Sequence, residues 1–331
     1  MFRHLIFATT LLFATQLLTA QTIFDRLHRP DDVLRLELET DLKGLEKLRH
    51  DDGKQPATVR FTNAAGSTES YTLNVKARGR FRRQTCGFIP LKLKFNKDTL
   101  AARGLADHND LKLVTHCIHD PVASRAQVVR EWLGYQLYQT LTPAAFRAQL
   151  VEITYRDPAR PRRKIKRYGI LIEDPDELAE RLGGEKVDFL DGSNRTIDRA
   201  HEQFVATFNH FIGNADFGFN SYRNLKLIQP TDGSAAFPVP YDFDFSGLVD
   251  PTYGNPNPTL YVSKLRERKF LGDAGSVFHH AALETLHDRQ AELLAVVENC
   301  RFLTRNERSE TVSYLQGFFQ ESPVAEAVAM P

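Results

Sequence analysis

The chain has 331 residues, 42% hydrophobic and 26% charged, enough to bury a sizeable core and too apolar for a disordered protein. Its 43 Lys and Arg residues offset 42 Asp and Glu, so no global field draws it to nucleic acid or to an anionic membrane. Any activity must come from a local site.

The opening stretch, MFRHLIFATTLLFATQLLTA, joins a basic start at Arg3 to an apolar middle and small residues before Gln21. That is the pattern of a secretory leader, residues 1–20, with cleavage expected after Ala20. Thr and Gln interrupt it too often for a stable membrane span, so the mature protein is expected to be secreted or periplasmic. Cys86, Cys117 and Cys300 are odd in number, so at most one bridge forms within the chain. A Cys86–Cys117 pair and three buried thiols both remain open.

Period-two alternation then predicts strands at ATVRFTN, SYTLNVKARG, PLKLKFN and DLKLVTH. In the third, Leu91, Leu93 and Phe95 share one face, and Lys92 and Lys94 the other. SRAQVVREWLGYQLYQTL predicts a long helix with Ser124 as N-cap and Val129, Leu133 and Leu137 as its stripe. Two further strands, RAQLVEITY and RYGILIED, flank the basic link RDPARPRRKIK, read as a solvated hairpin tip, not a nucleic-acid patch. After Glu173 come a short helix in DPDELAERLGG and an apolar-striped helix in DRAHEQFVATFNHFIGN. Strands LKLIQ and FPVPYDFDF, joined by the turn PTDGSA, lead into helices from about Asp273 onward.

This order divides the chain into a strand-rich N-terminal lobe, 21–173, and a mainly helical C-terminal lobe, 174–331, holding a catalytic loop and a metal-binding hairpin. The expected fold is α+β and bilobal, protein-kinase-like, with the site between the lobes.

Phosphoryl transfer requires a carboxylate at the acceptor, an Asn and an Asp on the metal, and a Lys–Glu pair steadying the phosphates. Asp216 follows a helix in a turn-rich loop with Asn220 and Asn224, and Asp242 and Asp244 sit two apart, hence on one strand face. Lys92 and Lys94 supply cations, and Glu131 is the only acidic residue of the long helix, where an unpaired carboxylate would be costly. A salt bridge from Glu131 to one of those lysines would remove that cost. The cluster THCIHD matches no zinc spacing, and there is no H-E-x-x-H or G-x-S-x-G.

The segments VKARG, PLKLKF, LKLVTHCIHDPVASR, RYGILIED and the pair GNAD…N with PVPYDFD together resemble the spore-coat protein H (CotH) kinase family, distantly similar to HipA-type kinases. The resemblance runs from about Val75 to Gly247. It implies an ATP-dependent, Mg- or Mn-dependent kinase that phosphorylates an unknown protein or small-molecule acceptor. Asp216 would orient or deprotonate the acceptor; Asn224, or else Asn220, and Asp242 would hold metal, with Asp244 as a further ligand. Arg78 and its RGRFRR stretch would meet the phosphates, and Glu173 would lie near the adenine. Two other readings stay open: a non-catalytic kinase-like binding or assembly protein outside the cytoplasm, and a hydrolase using Asp216 and Asp242 as paired carboxylates.

Overall fold

The computed structural model describes residues 20–30, 32–79, 81–188, 195–255 and 263–321. The leader, except Ala20, lies outside the described residues, as does Arg80. A short helix α1 (Ile23–Leu27) opens the described chain, capped by Thr22 in a capping box with Asp25. Seven strands follow among other elements: β1 (Leu34–Glu39), β2 (Lys54–Thr62), β3 (Thr68–Ala77), β4 (Leu91–Phe95), β5 (Asp110–Val114), β6 (Ala148–Arg156) and β7 (Lys164–Ile172).

These strands close into a barrel in the order β1-β2-β3-β4-β5-β7-β6. The expected bilobal kinase-like α+β fold is thereby overturned: a closed mixed barrel with packed helices stands in its place. The cause is β1, which pairs antiparallel with β2, Leu36 opposite Phe61, and parallel with β6, Leu36 opposite Ile153. With both of its sides joined, β1 closes the barrel, which is left with no edge strand. The alternation seen in the sequence fills the interior: Leu36, Val59, Val75, Leu93, Leu113 and Ile153 form one apolar cluster.

Between β5 and β6 runs α5 (Pro121–Leu141), the third, second and fourth helices being α3 (Phe81–Thr85), α2 (Leu42–Lys47) and α4 (Lys97–Ala102). Its cap is Asp120, not Ser124: the Asp120 carboxylate accepts from the Val122 and Ala123 amides, and Pro121 takes the first turn, where its missing N–H costs nothing. Ser124 is instead buried inside the helix. Val129, Leu133 and Leu137 pack with Ile170 and Ile172 of the barrel wall and with Phe208, Phe243 and Leu293 beyond it, in a second apolar cluster.

The rest of the chain builds onto that side. After α6 (Pro175–Arg181), a small sheet has the order β10-β9-β8, with β8 (Gly184–Val187), β9 (Leu225–Pro230) and β10 (Phe237–Pro240). Pro238 and Pro240 lack an N–H, which suits β10 to its edge position. Helix α7 (Arg199–Phe211) precedes β9, and α8 (Val277–Asp288), α9 (Gln290–Glu298) and α10 (Arg305–Glu321) complete the packing. Among the described residues no helix is long and apolar enough to cross a membrane.

Candidate active site

Two loops that sequence order separates are stitched together by backbone. At the end of α7, Gly213 adopts φ +66°, and a Cβ there would lie 2.0 Å from the Tyr314 hydroxyl, so only glycine fits. The amide of Gly247 donates to the Gly213 carbonyl at 2.9 Å, that of Leu248 donates to Ile212 at 3.0 Å, and Asn214 bridges Ser246. A third tie joins the hairpin: the Tyr241 amide donates to the Asn224 carbonyl at 3.0 Å. The Asp216 loop and the Asp242 turn are therefore held side by side.

Buried neighbours hold the backbone of Asp216 and Asp242, the candidate site residues. The buried Asn214 donates through Nδ2 to Asn209 at 2.8 Å and accepts from the Asp216 amide at 3.0 Å. Asn224, at φ +55°, donates Nδ2 to the Asp216 carbonyl at 2.6 Å and to its carboxylate at 3.0 Å. Asp242, at φ +65°, donates its amide to the Tyr135 hydroxyl of α5 at 2.9 Å. Next to it Phe243 is fully buried, its ring 4.8 Å from Tyr135 and 5.8 Å from Phe208. Gly134 of α5 permits this approach, since a Cβ there would come within 3.0 Å of the Phe243 ring.

Asp216, Asn224, Asp242 and Asp244 line one cavity of about 160 Å³ together with Arg78 and Arg82. Asn220 is exposed and does not line it. Asp242 and Asp244 do not share a strand face as the two-residue spacing predicted. β10 ends at Pro240, and the left-handed backbone at Asp242 breaks the alternation. Asp244 turns inward, 3% exposed, to within 3.6 Å of Arg82. The Asp242 carboxylate accepts no hydrogen bond and forms no ion pair among the described residues.

The cation beside Glu131 is also not the one expected. Glu131 is 2% exposed, and its partner is Arg82 of α3 at 3.4 Å, not Lys92 or Lys94. Arg82 donates in addition to the Thr115 carbonyl at 2.7 Å. Lys92 and Lys94 both lie against Asp110, at 2.9 and 3.8 Å, and neither lines the cavity. Glu173 likewise lies elsewhere, fully buried between Arg147 and Arg181, each 2.8 Å away.

One residue passed over in the sequence stands out. Lys112 of β5 faces Lys92 across the ladder, yet its side chain is covered, its Nζ 3.8 Å from the Tyr241 ring centre with no hydrogen-bond partner. Burial lowers its pKa well below the usual lysine value, with Arg78 and Lys226 adding repulsion and Asp242 opposing them. On the acidic side, burial raises the Asp216 carboxyl, Arg223 and Asn224 pull it down, and Asp242 pushes it up. For Glu131, burial outweighs the pull of Arg82, so its carboxyl too stands above the ordinary range. The cavity thus brings the carboxylates of Asp216, Asp242 and Asp244 together with Arg78 and Arg82, while Lys112 lies outside its lining, covered by Tyr241.

The residues fit a divalent metal in part. The Asp242 oxygens, Asn224 Oδ1 and the Asp216 carboxylate are hard donors of the kind Mg²⁺ and Mn²⁺ take. Among the described residues there is no group of three or more His, Cys, Asp or Glu placed to hold a bare metal ion. An ion here would need further oxygens from a bound phosphate or water.

No family model matches the chain, and no curated protein matches it in sequence. Among solved structures the chain is similar to the crystal structure of a Helicobacter pylori proinflammatory kinase, CtkA. The identity is 10% and the TM-score 0.44, over 77% of this chain and 96% of that one. So loose a likeness assigns neither fold nor activity, and the functional reading rests on the site.

Proposed function

We propose that the chain is an exported kinase of the CotH type that transfers the terminal phosphoryl group of ATP, with Mg²⁺ or Mn²⁺, to a protein or small-molecule acceptor. The observation that carries this reading is the cavity itself, where Asp216, Asn224 and Asp242 meet Arg78. Phosphoryl transfer asks for this division of labour between acidic oxygens and cations. A volume of about 160 Å³ suits the phosphate end of a nucleotide, with the base and ribose lying outside it.

Asn224 and Asp242 would hold the metal. Bound there, it would offset negative charge on the phosphates. Asp216 would take the proton of an acceptor hydroxyl as that oxygen bonds to phosphorus and the bond to the departing diphosphate breaks. Its raised pKa brings it nearer the value a general base needs. Arg78 would lie against phosphate oxygens, which its guanidinium fork matches. Arg82 is a positioning residue: tied to Glu131, Asp244 and Thr115, it fixes the floor on which the Asp242 turn sits.

The export half of the proposal rests on the leader. The Cys86 and Cys117 sulfurs form a disulfide, which suits an oxidising compartment. A second reading, a non-catalytic binding or assembly protein, is favoured by Arg82 engaging Asp244 and leaving only two cavity carboxylates for metal.

Thermal denaturation with ATP and Mg²⁺ or Mn²⁺ separates the two. Nucleotide at a hundred times Kd should stabilise the folded state by about 2.7 kcal/mol, and Asp242→Ala should remove the effect. No shift with either metal rejects the kinase reading in favour of the non-catalytic one. Mass analysis of a modified acceptor distinguishes phosphoryl from nucleotidyl transfer.

A further inference from the structure

A second cavity, of about 400 Å³, is lined in part by Gly87, Phe88 and His116, neighbours in sequence of the bridged Cys86 and Cys117. Its basic wall comes from the link between β6 and β7. Arg160 and Arg163, with Arg167 of β7, line it, joined by Lys43 of α2 and His119. The link is the exposed tip of the β6-β7 hairpin, as the sequence predicted, and it is folded into a turn: the Arg160 amide donates to the Asp157 carbonyl and that of Arg163 to the Arg160 carbonyl, both at 2.9 Å. Two acidic residues also line the cavity, and both are engaged. Glu46 is held by Arg49 at 2.6 Å, and Asp157 accepts from the Ala159 amide at 3.0 Å. Arg160, Arg163 and Lys43 have no ion-pair partner among the described residues.

The floor is apolar and flat, with one polar atom left over. Phe88 stacks on His116 with ring centres 4.8 Å apart and planes 28° apart, and Ile165 and Leu45 complete the floor. His116 is 3% exposed, and its Nδ1 has no hydrogen-bond partner; the Arg167 Nε is likewise buried without one. Buried polar atoms in this state are uncommon in folded proteins and call for a partner. The backbone is built to hold the arrangement, since the Gly87 amide donates to the Cys117 carbonyl at 2.7 Å across the bridge.

We propose that this cavity binds a small organic anion: a phosphate or carboxylate group held by Arg160, Arg163 and Arg167, and a flat apolar body lying on Phe88 and Ile165 with a polar atom against His116. The size argues for a body, because the space greatly exceeds a free phosphate. The arginines argue for an anion with paired oxygens, which the guanidinium fork matches. Burial, with Arg167, His119 and Arg82 nearby, lowers His116 to a pKa of about 3, so its ring is neutral at physiological pH and offers one N–H and one lone pair. The cavity is separate from the cleft that holds Asp242 and does not depend on the kinase reading.

Calorimetric titration of the mature protein at low ionic strength with phenyl phosphate, phenylacetate and inorganic phosphate tests this. Phenyl phosphate or phenylacetate should bind at one saturable site, and whichever binds more tightly identifies the head group. Arg160→Ala/Arg163→Ala, at exposed positions that leave the core intact, should weaken binding by about tenfold or more. Asp242→Ala should leave it unchanged. The proposal is overturned if neither aryl probe binds at millimolar concentration, if inorganic phosphate binds as tightly as phenyl phosphate, or if the double variant binds as the parent does. Loss of binding in Asp242→Ala also overturns it, by placing the probe in the other cleft.

Discussion

Replacing Arg82 with Met should destabilise the protein by about 3–5 kcal/mol, because it strands buried carboxylates that have no other cation. Arg82 lies 3.4 Å from Glu131 and 3.6 Å from Asp244, and these are 2% and 3% exposed. The Thr115 carbonyl would also lose its 2.7 Å donor, adding about 1 kcal/mol. Methionine fills much of the same volume, so the loss is electrostatic and not a cavity effect. Burial already holds the Glu131 carboxyl above its usual range, and removing Arg82 raises it further. A carboxyl raised in the folded state favours folding below its unfolded pKa, and that support is lost as pH rises through the folded one. The deficit of Arg82→Met should therefore be larger at pH 8 than at pH 5. Glu131→Gln, added to Arg82→Met, should restore part of the loss, whereas Glu131→Gln alone should not stabilise to the same degree. Urea denaturation followed by the fluorescence of Trp132, the single tryptophan, measures all four corners of the cycle. Additive effects, or a neutral Arg82→Met at pH 8, would refute the buried-pair account.

Glu177 offers a cleaner pH test. Burial, opposed by Thr22 and Arg147, raises its pKa to about 7. Its support for folding is thus present below its unfolded pKa and lost as pH rises through about 7, so Glu177→Gln should gain up to about 3 kcal/mol over the parent at pH 8 and little at pH 4; equal pH profiles of melting would contradict this. Cys86→Ser/Cys117→Ser opens a loop with a sequence separation of 31 and should cost about 3–4 kcal/mol in denaturation under non-reducing conditions. Phe243→Ala should cost about 3–5 kcal/mol and also weaken ATP binding, since the ring anchors the Asp242 turn; unchanged binding would show that the turn is placed by other contacts. N-terminal sequencing of protein recovered from an exporting host should begin at Gln21, leaving intact the cap that Thr22 gives α1.

The strands read from alternation are present because each buries one face, as with Leu91, Leu93 and Phe95. Barrel closure was not legible, although β1 alternates as regularly through Leu34, Leu36 and Leu38. Its pairing with β6 joins residues far apart in sequence, and no local pattern names a strand's partner. The same limit governs the lysines. Lys92, Lys94 and Lys112 all alternate with leucines, and only the tertiary fold decides which one Tyr241 covers. That Glu131 needed a cation followed from burial in an apolar helix; that the cation is Arg82 depends on α3, a single turn with no clear periodicity. The period-two rule misled at Asp242 and Asp244, because it holds only while the backbone stays extended and the strand stops at Pro240.

The most direct test is a crystal structure of the protein grown with Mn²⁺ and a non-hydrolysable ATP analogue, with the metal located by anomalous scattering. The expected result is a manganese peak bounded by oxygens of Asp242 and Asn224, with phosphates reaching toward Arg78. Nucleotide bound at a different surface, or a cleft in which Asp242 touches neither metal nor phosphate, would contradict it.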